Sequence, residues 1–487
     1  MNERSPLLPS QTTNTVHPKS SYQKYKSTWT TWRIPLLCYS LALLLDSGEA
    51  MRATPKTRLF EMILCERYYT AVDTPLDSRE IPETMCKVSE VQSAVVDTQV
   101  WLRIMESLFA LITAIPFGKL SNTKGRKFVL ILGISGQILA EAWILAVCYF
   151  RVPFGAVYAS AVFKSLGGGE MVLSAIVHAI LADAVSEDRR ARAFFHTASM
   201  TLLAQVIAPL VGSALMQVRG VYAPLLCGFP VQVVAVAVSF LMPTSVDRVR
   251  GDAVVDGFAE RAKPGFNSLT VTISRKIKTS WTLLRENSAI LLVAVSFMAT
   301  YSGKETLDFL VQYVSKRFGW SLAKANYLIS FSAITNLTLY LLILPGITKT
   351  LATRYPPKNI DLWIARTSSI FGIIGPILLG LSPTPALLIL SLVIFTLAFG
   401  YPHAIQSYGT SLVQPVDIAP FYSFLAMVRI AGRLVVSPLM AGSFTLGLKT
   451  GGVALGMPFY LAGVLFGVGG VAAWVGFGGS KISHIYV

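Results

Sequence analysis

Long apolar runs alternate with short polar stretches along most of the chain. A helix needs about 20 apolar residues to cross a hydrocarbon layer about 30 Å thick. On that criterion twelve spans are expected, near residues 33–51, 98–118, 128–149, 155–183, 193–217, 221–242, 287–313, 325–346, 361–381, 384–406, 419–443 and 453–476. Backbone polar groups in lipid must be satisfied within each span, so the expected fold class is all-α integral membrane. The first run opens at Arg33, too late and too poorly followed by a small-residue cleavage site for a signal peptide, and is read as retained.

Two long polar segments interrupt this spacing. Residues 243–286 mix Asp247, Asp252, Asp256 and Glu260 with Arg261, Lys263, Arg275, Lys276 and Lys278, which reads as a polar linker. It divides the chain into bundles at 33–242 and 287–476, with tails at 1–32 and 477–487. The second segment, 52–96, reads as a long loop holding Cys65 and Cys86, while Cys38, Cys148 and Cys227 fall in apolar runs. In an oxidising compartment Cys65 and Cys86 could be bridged; two unrelated thiols remain the alternative.

Lys and Arg set the expected orientation. Lys19, Lys24, Lys26 and Arg33 precede the first span, Lys119, Lys124, Arg126 and Lys127 follow the second, and Arg189, Arg190 and Arg192 follow the fourth. These belong on the cytoplasmic side, with both tails and the linker, which puts loop 52–96 outside. Hydrophobic residues make up 53% of 487 and charged residues only 14%. With a mean hydropathy of +0.57, a water-soluble protein is excluded and the lipid bilayer is the surrounding partner. The formal charge of +16 would suggest nucleic acid in a soluble chain. Here it is dispersed in short loops, so no nucleic-acid partner is expected, nor a cofactor or a metal.

Between the second and third spans stand Gly118, Lys119, Leu120, Ser121, Asn122, Thr123, Lys124, Gly125, Arg126 and Lys127. The stretch resembles the G-x-L-x-D-x-x-G-R-[RK] signature of the major facilitator superfamily. That resemblance implies 12 transmembrane helices in two six-helix bundles, the major facilitator fold. It gives Gly118 and Gly125 turning roles and Arg126 with Lys127 an anchoring one. The family's acidic position is Asn122 here, which removes a charge from the network that stabilises one access state.

Other stretches extend the resemblance. Lys164 to Gly169 is similar to the family's R-x-x-x-G pattern, linked there to proton coupling, with lysine for arginine. Asp183 followed by Arg190 to Phe194 resembles its acidic-then-arginine pattern. Ala204, Ala208, Pro209, Gly212 and Ser213 look like a depleted version of the antiporter motif G-x-x-x-G-P-x-x-G-G. Ordinary small-residue packing around Ala208, Pro209 and Gly212 is the alternative. Arg317 to Ser321 through Tyr327 and Leu328, with Leu59 to Cys65 and Tyr68–Tyr69, look like a fungal branch distantly similar to proton-coupled folate and tetracycline-type carriers.

Ionisable residues inside a bilayer are costly and by default functional. Asp46 and Glu49 lie one turn apart in the first span, as do Arg103 and Glu106 in the second; Glu141 lies in the third. Lys164, Glu170 and His178 lie in the fourth, Lys304, Glu305 and Asp308 in the seventh, His403 and Gln406 in the tenth, and Arg429 and Arg433 in the eleventh. The resemblance makes spans one, four, seven and ten line the cavity. That raises Asp46, Glu49, Lys164, His178, Asp308, His403 and Gln406 as proton or substrate groups, with Arg429 and Arg433 as cations. Arg103, Glu106 and Lys304 read as lying near outer helix ends, where long side chains snorkel.

The expected function is proton-coupled export of a small organic metabolite or xenobiotic by a monomer working through alternating access. Proton-coupled uptake of an anionic nutrient is the alternative. A membrane acyltransferase, suggested by His178 and Asp183 in H-x-x-x-x-D, and a non-transporting receptor are remote ones. Glu3 to Leu8 fits an acidic dileucine sorting pattern, which keeps vacuolar or endosomal membrane open beside plasma membrane.

Overall fold

A computed structural model describes residues 21–72, 81–185, 187–242, 288–413 and 418–476. The dileucine stretch, the 243–286 segment and residues 477–487 lie outside them. The described chain is helical, running up and down through twelve spans in two six-helix bundles. In the first bundle, α1 (Ser21–Ala71), α2 (Ser89–Lys124) and α3 (Arg126–Tyr149) are followed by a span in two pieces, α4 (Ser160–Lys164) and α5 (Gly169–Ala184). Then come α6 (Glu187–Arg219) and α7 (Tyr222–Phe240).

The second bundle opens with another broken span, α8 (Ser288–Ala299) with α9 (Tyr301–Phe318). Its eighth span joins α10 (Leu322–Thr338) to α11 (Leu344–Leu351) through a widened turn at Leu339–Ile343. After α12 (Pro357–Leu381), the tenth span is α13 (Pro385–Thr396) and α14 (Gly400–Thr410), separated by the tight turn Leu397–Phe399. Long α15 (Ile418–Thr450) and α16 (Met457–Val471) complete it. Spans four, seven and ten are thus interrupted near their middles, where discontinuous helices leave backbone groups free to face a binding site.

Ten of the described helical stretches satisfy a simple length-and-hydropathy test for crossing a membrane. The α2 helix and the α8–α9 pair are not among them; both carry charge, at Arg103, Glu106, Lys304, Glu305 and Asp308, and the break at Thr300 leaves α8 only 12 residues long. A charge satisfied by a partner inside the bundle lowers hydropathy without placing the segment in water.

The expected loop 52–96 is corrected. Helix α1 continues without a break to Ala71, Glu83–Lys87 forms one tight turn, and α2 begins at Ser89. Arg52, Lys56, Arg58 and Glu61 made the sequence look like solvent-exposed loop. Arg52 is 2% exposed and Glu61 1%. Lys56 pairs with Glu141 at 2.7 Å, and Glu61 with Arg58 at 2.5 Å and Lys87 at 2.6 Å. Because α2 starts early and has 36 residues, Arg103 and Glu106 lie near its middle rather than at an outer end.

The exit from α2 is corrected too. Gly118 lies within the helix, with open space where a Cβ would sit, and the chain turns only at Gly125, whose φ is 93°.

Cys65 and Cys86 are joined as a disulfide, both buried, closing a stretch of 21 residues. The Ile81, Val88 and Val91 side chains pack around it. Loop-closure entropy gives such a bridge about 3 kcal/mol. Replacing both cysteines with serine is expected to lower the unfolding midpoint measurably, and an unchanged midpoint would show the bridge dispensable. This end of the molecule is called the disulfide end, and the end with Gly125 the motif end.

Packing differs between the bundles. The second has one continuous core including Tyr313, Phe395, Phe444 and Phe459. The first is split, its two larger clusters being Leu41, Val129, Ile134 and Leu181 toward the motif end and Phe60, Val147, Phe154 and Val157 toward the disulfide end. Between these two apolar layers lie Glu49, Lys56, Glu141 and Lys164.

Candidate functional site

The site is assembled where span four breaks. Lys164 ends α4, and Gly167, Gly168 and Gly169 follow with φ of +80°, +91° and +74°. Side chains other than hydrogen rarely adopt that region, so the run of glycines is what makes the break possible. The Gly167 Cα also lies against Gly133 of α3, where a Cβ would come within 2.4 Å of backbone. The break lets Lys164 reach sideways to two helices at once. Its Nζ lies 3.1 Å from Glu106 of α2 and 3.3 Å from Glu49 of α1.

Around this lysine opens a small cleft between the bundles. Glu106, Ser107 and Ala110 of α2, Lys164, Gly169, Glu170 and Met171 of the fourth span, and Ile430 and Arg433 of α15 line it. Lys164 is neutralised by its two carboxylates. Arg433 differs: its Nε is buried without a hydrogen-bond partner. Asp46 lies nearby on α1, facing Thr201, Glu170 and Lys304.

One turn along α2 from Glu106, Arg103 crosses to the second bundle. Its Nη1 lies 2.7 Å from Asp308 and 3.1 Å from Glu305, whose side chain is fully buried. An ion pair in such surroundings is held by strong Coulomb attraction but penalises any move that separates it. The snorkelling expected for Arg103 and Glu106 is therefore corrected: both ends of this charge ladder are paired inside the bundle.

Further bonds close the bundles toward the disulfide end. Asn326 of α10 accepts from Thr54 Oγ1 at 2.7 Å and donates to Ser213 Oγ at 2.9 Å and to the Pro209 carbonyl at 3.2 Å. Ser89 Oγ donates to the Leu448 carbonyl at 2.8 Å, the Leu322 amide donates to Glu83 at 2.7 Å, and Lys316 Nζ donates to the Lys87 carbonyl. Bonds toward the motif end, such as Arg126 to Asp183 and Lys127 to the carbonyls of Phe240 (2.7 Å) and Met242 (3.0 Å), join helices of one bundle.

Several residues singled out from sequence are placed elsewhere. His178 bonds the Ser174 carbonyl of its own helix at 2.8 Å and meets Phe194 edge-on. With Asp183 engaged by Arg126, the two members of the H-x-x-x-x-D pattern serve different partners. His403 packs edge-on against Tyr340, and Arg429 is exposed over the Phe297 ring. His403, Gln406 and Arg429 are absent from the cleft lining. Leu120 packs against the motif-end core, while the Asn122 side chain lies outside the described residues. Ala208 is buried, and Gly212 presses on the Met51 carbonyl, where a Cβ would come within 2.5 Å.

The family model described as Major Facilitator Superfamily matches residues 96–427. The chain belongs to that superfamily, and it is a multi-pass membrane transporter of small molecules. It is 33% identical over 447 residues to the MFS efflux pump atnC of Emericella nidulans, covering 90% of this chain and 87% of the relative. The efflux pump ustT of Aspergillus flavus is 26% identical, with 87% of this chain and 84% of the relative aligned. Among solved structures a D-xylose-proton symporter superposes with a TM-score of 0.64 at 12% identity, covering 92% of this chain and 98% of the other. That likeness concerns the fold alone.

Proposed function

We propose that the protein exports a small organic metabolite or xenobiotic in exchange for protons, by alternating access. The carrying observation is the cleft at the break in span four, lined from both bundles, combined with cross-bundle bonds gathered at the disulfide end. If the disulfide end faces outward, as the basic loops suggest, the arrangement is an inward-facing one ready to load from the cytoplasm. The names of the fungal relatives as efflux pumps favour export. Residues 1–32, 243–286 and 477–487 then lie in the cytoplasm, and plasma membrane is the favoured location, with vacuolar or endosomal membrane the alternative.

Asp46 is the proposed proton carrier, because a carboxylate beside the cleft changes charge when it takes a proton in a low-dielectric setting. Asp46→Asn is expected to abolish gradient-driven transport in proteoliposomes with normal expression. Rates equal to wild type would remove Asp46 from the mechanism.

One observation favours a second reading. Arg433 offers the cleft a guanidinium with an unbonded Nε, suited to an anionic nutrient moving inward. Metabolite profiling of a deletion strain separates the two: retained compound means export, depleted compound means uptake.

A further inference from the structure

Arg103 is a cation that the transport cycle must either separate from its partners or provide with new ones. Its present acceptors, Glu305 and Asp308, belong to α9 of the other bundle. Opening the disulfide end draws α2 away from α9 at this level. A guanidinium left alone inside a bundle is strongly unfavourable, so Arg103 needs an acceptor that travels with it.

Glu106 meets that need. It lies three residues further along α2, on the same face, and is among the charges that Arg103 feels, together with Tyr301, Glu305 and Asp308. Glu106 is now held by Lys164, but Lys164 has Glu49 as a second carboxylate and can release one without losing both. On the far side, Glu305 keeps Ser437 of α15 and Tyr301 as neighbours, and Asp308 is already 38% exposed.

We propose that Arg103 exchanges partners during the cycle, binding Glu305 and Asp308 while the disulfide end is closed and Glu106 when it is open. The exchange passes Lys164 wholly to Glu49. Because Glu106 and Lys164 both line the cleft, the gate at the disulfide end and the charge of the binding site change together through α2. Arg103 and Glu106 act here as positioning residues. The proposal rests on alternating access, and its test separates the two ideas.

Spin labels at Phe150 and Val453, exposed positions at the disulfide end of either bundle, report opening by double electron–electron resonance in nanodiscs, with Cys227→Ser removing the exposed free thiol. D308N weakens the closed-state pairing and is expected to raise the long-distance population at least three-fold. Adding E106Q to D308N is expected to bring it back toward wild type, with E106D in between, because the open state then has no acceptor for Arg103. In an R103Q background E106Q is expected to lose this effect.

If Glu106 merely anchors Lys164 in the closed state, E106Q raises the long-distance population further, and that result overturns the exchange. No rise with D308N overturns it too. Should the E106Q proteins fail to fold, E106D alone decides by the direction of its shift. A single unchanging distance in every variant overturns alternating access itself, and the exchange with it.

Discussion

Lys164→Ala is expected to abolish transport and to destabilise the protein. The substitution leaves Glu49 and Glu106 without the cation that lies 3.3 and 3.1 Å from them. Removing one member of a buried ion pair costs about 3 kcal/mol, and an equal penalty on the transition between states would slow transport roughly 100-fold. Lys164→Met combined with Glu106→Gln removes charge from both sides. It is expected to recover most of the thermal stability without recovering transport, since the site then lacks its central charge. Thermal unfolding in detergent, read beside proteoliposome flux, tests both halves of that statement. Full flux in the double variant would show Lys164 to be a packing element only.

Most of the fold was legible because a bilayer imposes a coarse and strict rule on apolar length. Twelve spans in two bundles follow from that rule. It fails where a buried charge has a partner from a distant part of the chain. Lys56 looks like loop until Glu141, 85 positions away, is placed beside it. Arg103 looks like an interfacial anchor until α2 is seen to begin at Ser89 and Glu305 stands opposite.

The site was legible in kind but only partly in detail. Asp46, Glu49, Lys164, Asp308 and Arg433 lie in or beside the central charge ladder, and each was signalled as an ionisable residue in an apolar run. His178, His403 and Arg429 carried the same signal, yet each packs against an aromatic ring instead. Hydropathy cannot say which face of a helix a polar group occupies relative to a neighbour not yet placed. Asn326, whose amide bridges α1, α6 and α10, carries no charge, so a search of the spans for ionisable residues passes over it.

Gly167→Ala is expected to be among the most damaging single substitutions, although it adds one methyl group. Two penalties coincide there. A left-handed φ of +80° costs a side-chain-bearing residue roughly 1–2 kcal/mol. The new Cβ would also lie 2.4 Å from the Gly133 Cα and 2.5 Å from its amide nitrogen, and backbone cannot rotate out of the way as a side chain can. Relief requires the start of α5 to move off α3, which carries Lys164 away from Glu106 and Glu49. Loss of transport with a lowered yield of folded protein is therefore expected. Gly118→Ala provides the contrast within the same bundle. Gly118 lies inside α2 with nothing within 4 Å of a Cβ, so alanine is expected to be neutral or to stabilise the helix by up to about 1 kcal/mol. If Gly118→Ala lost transport while the protein stayed folded, the motif glycine would be needed in a state other than the one in this structure. If Gly167→Ala transported normally, the break in span four would not be what aims Lys164.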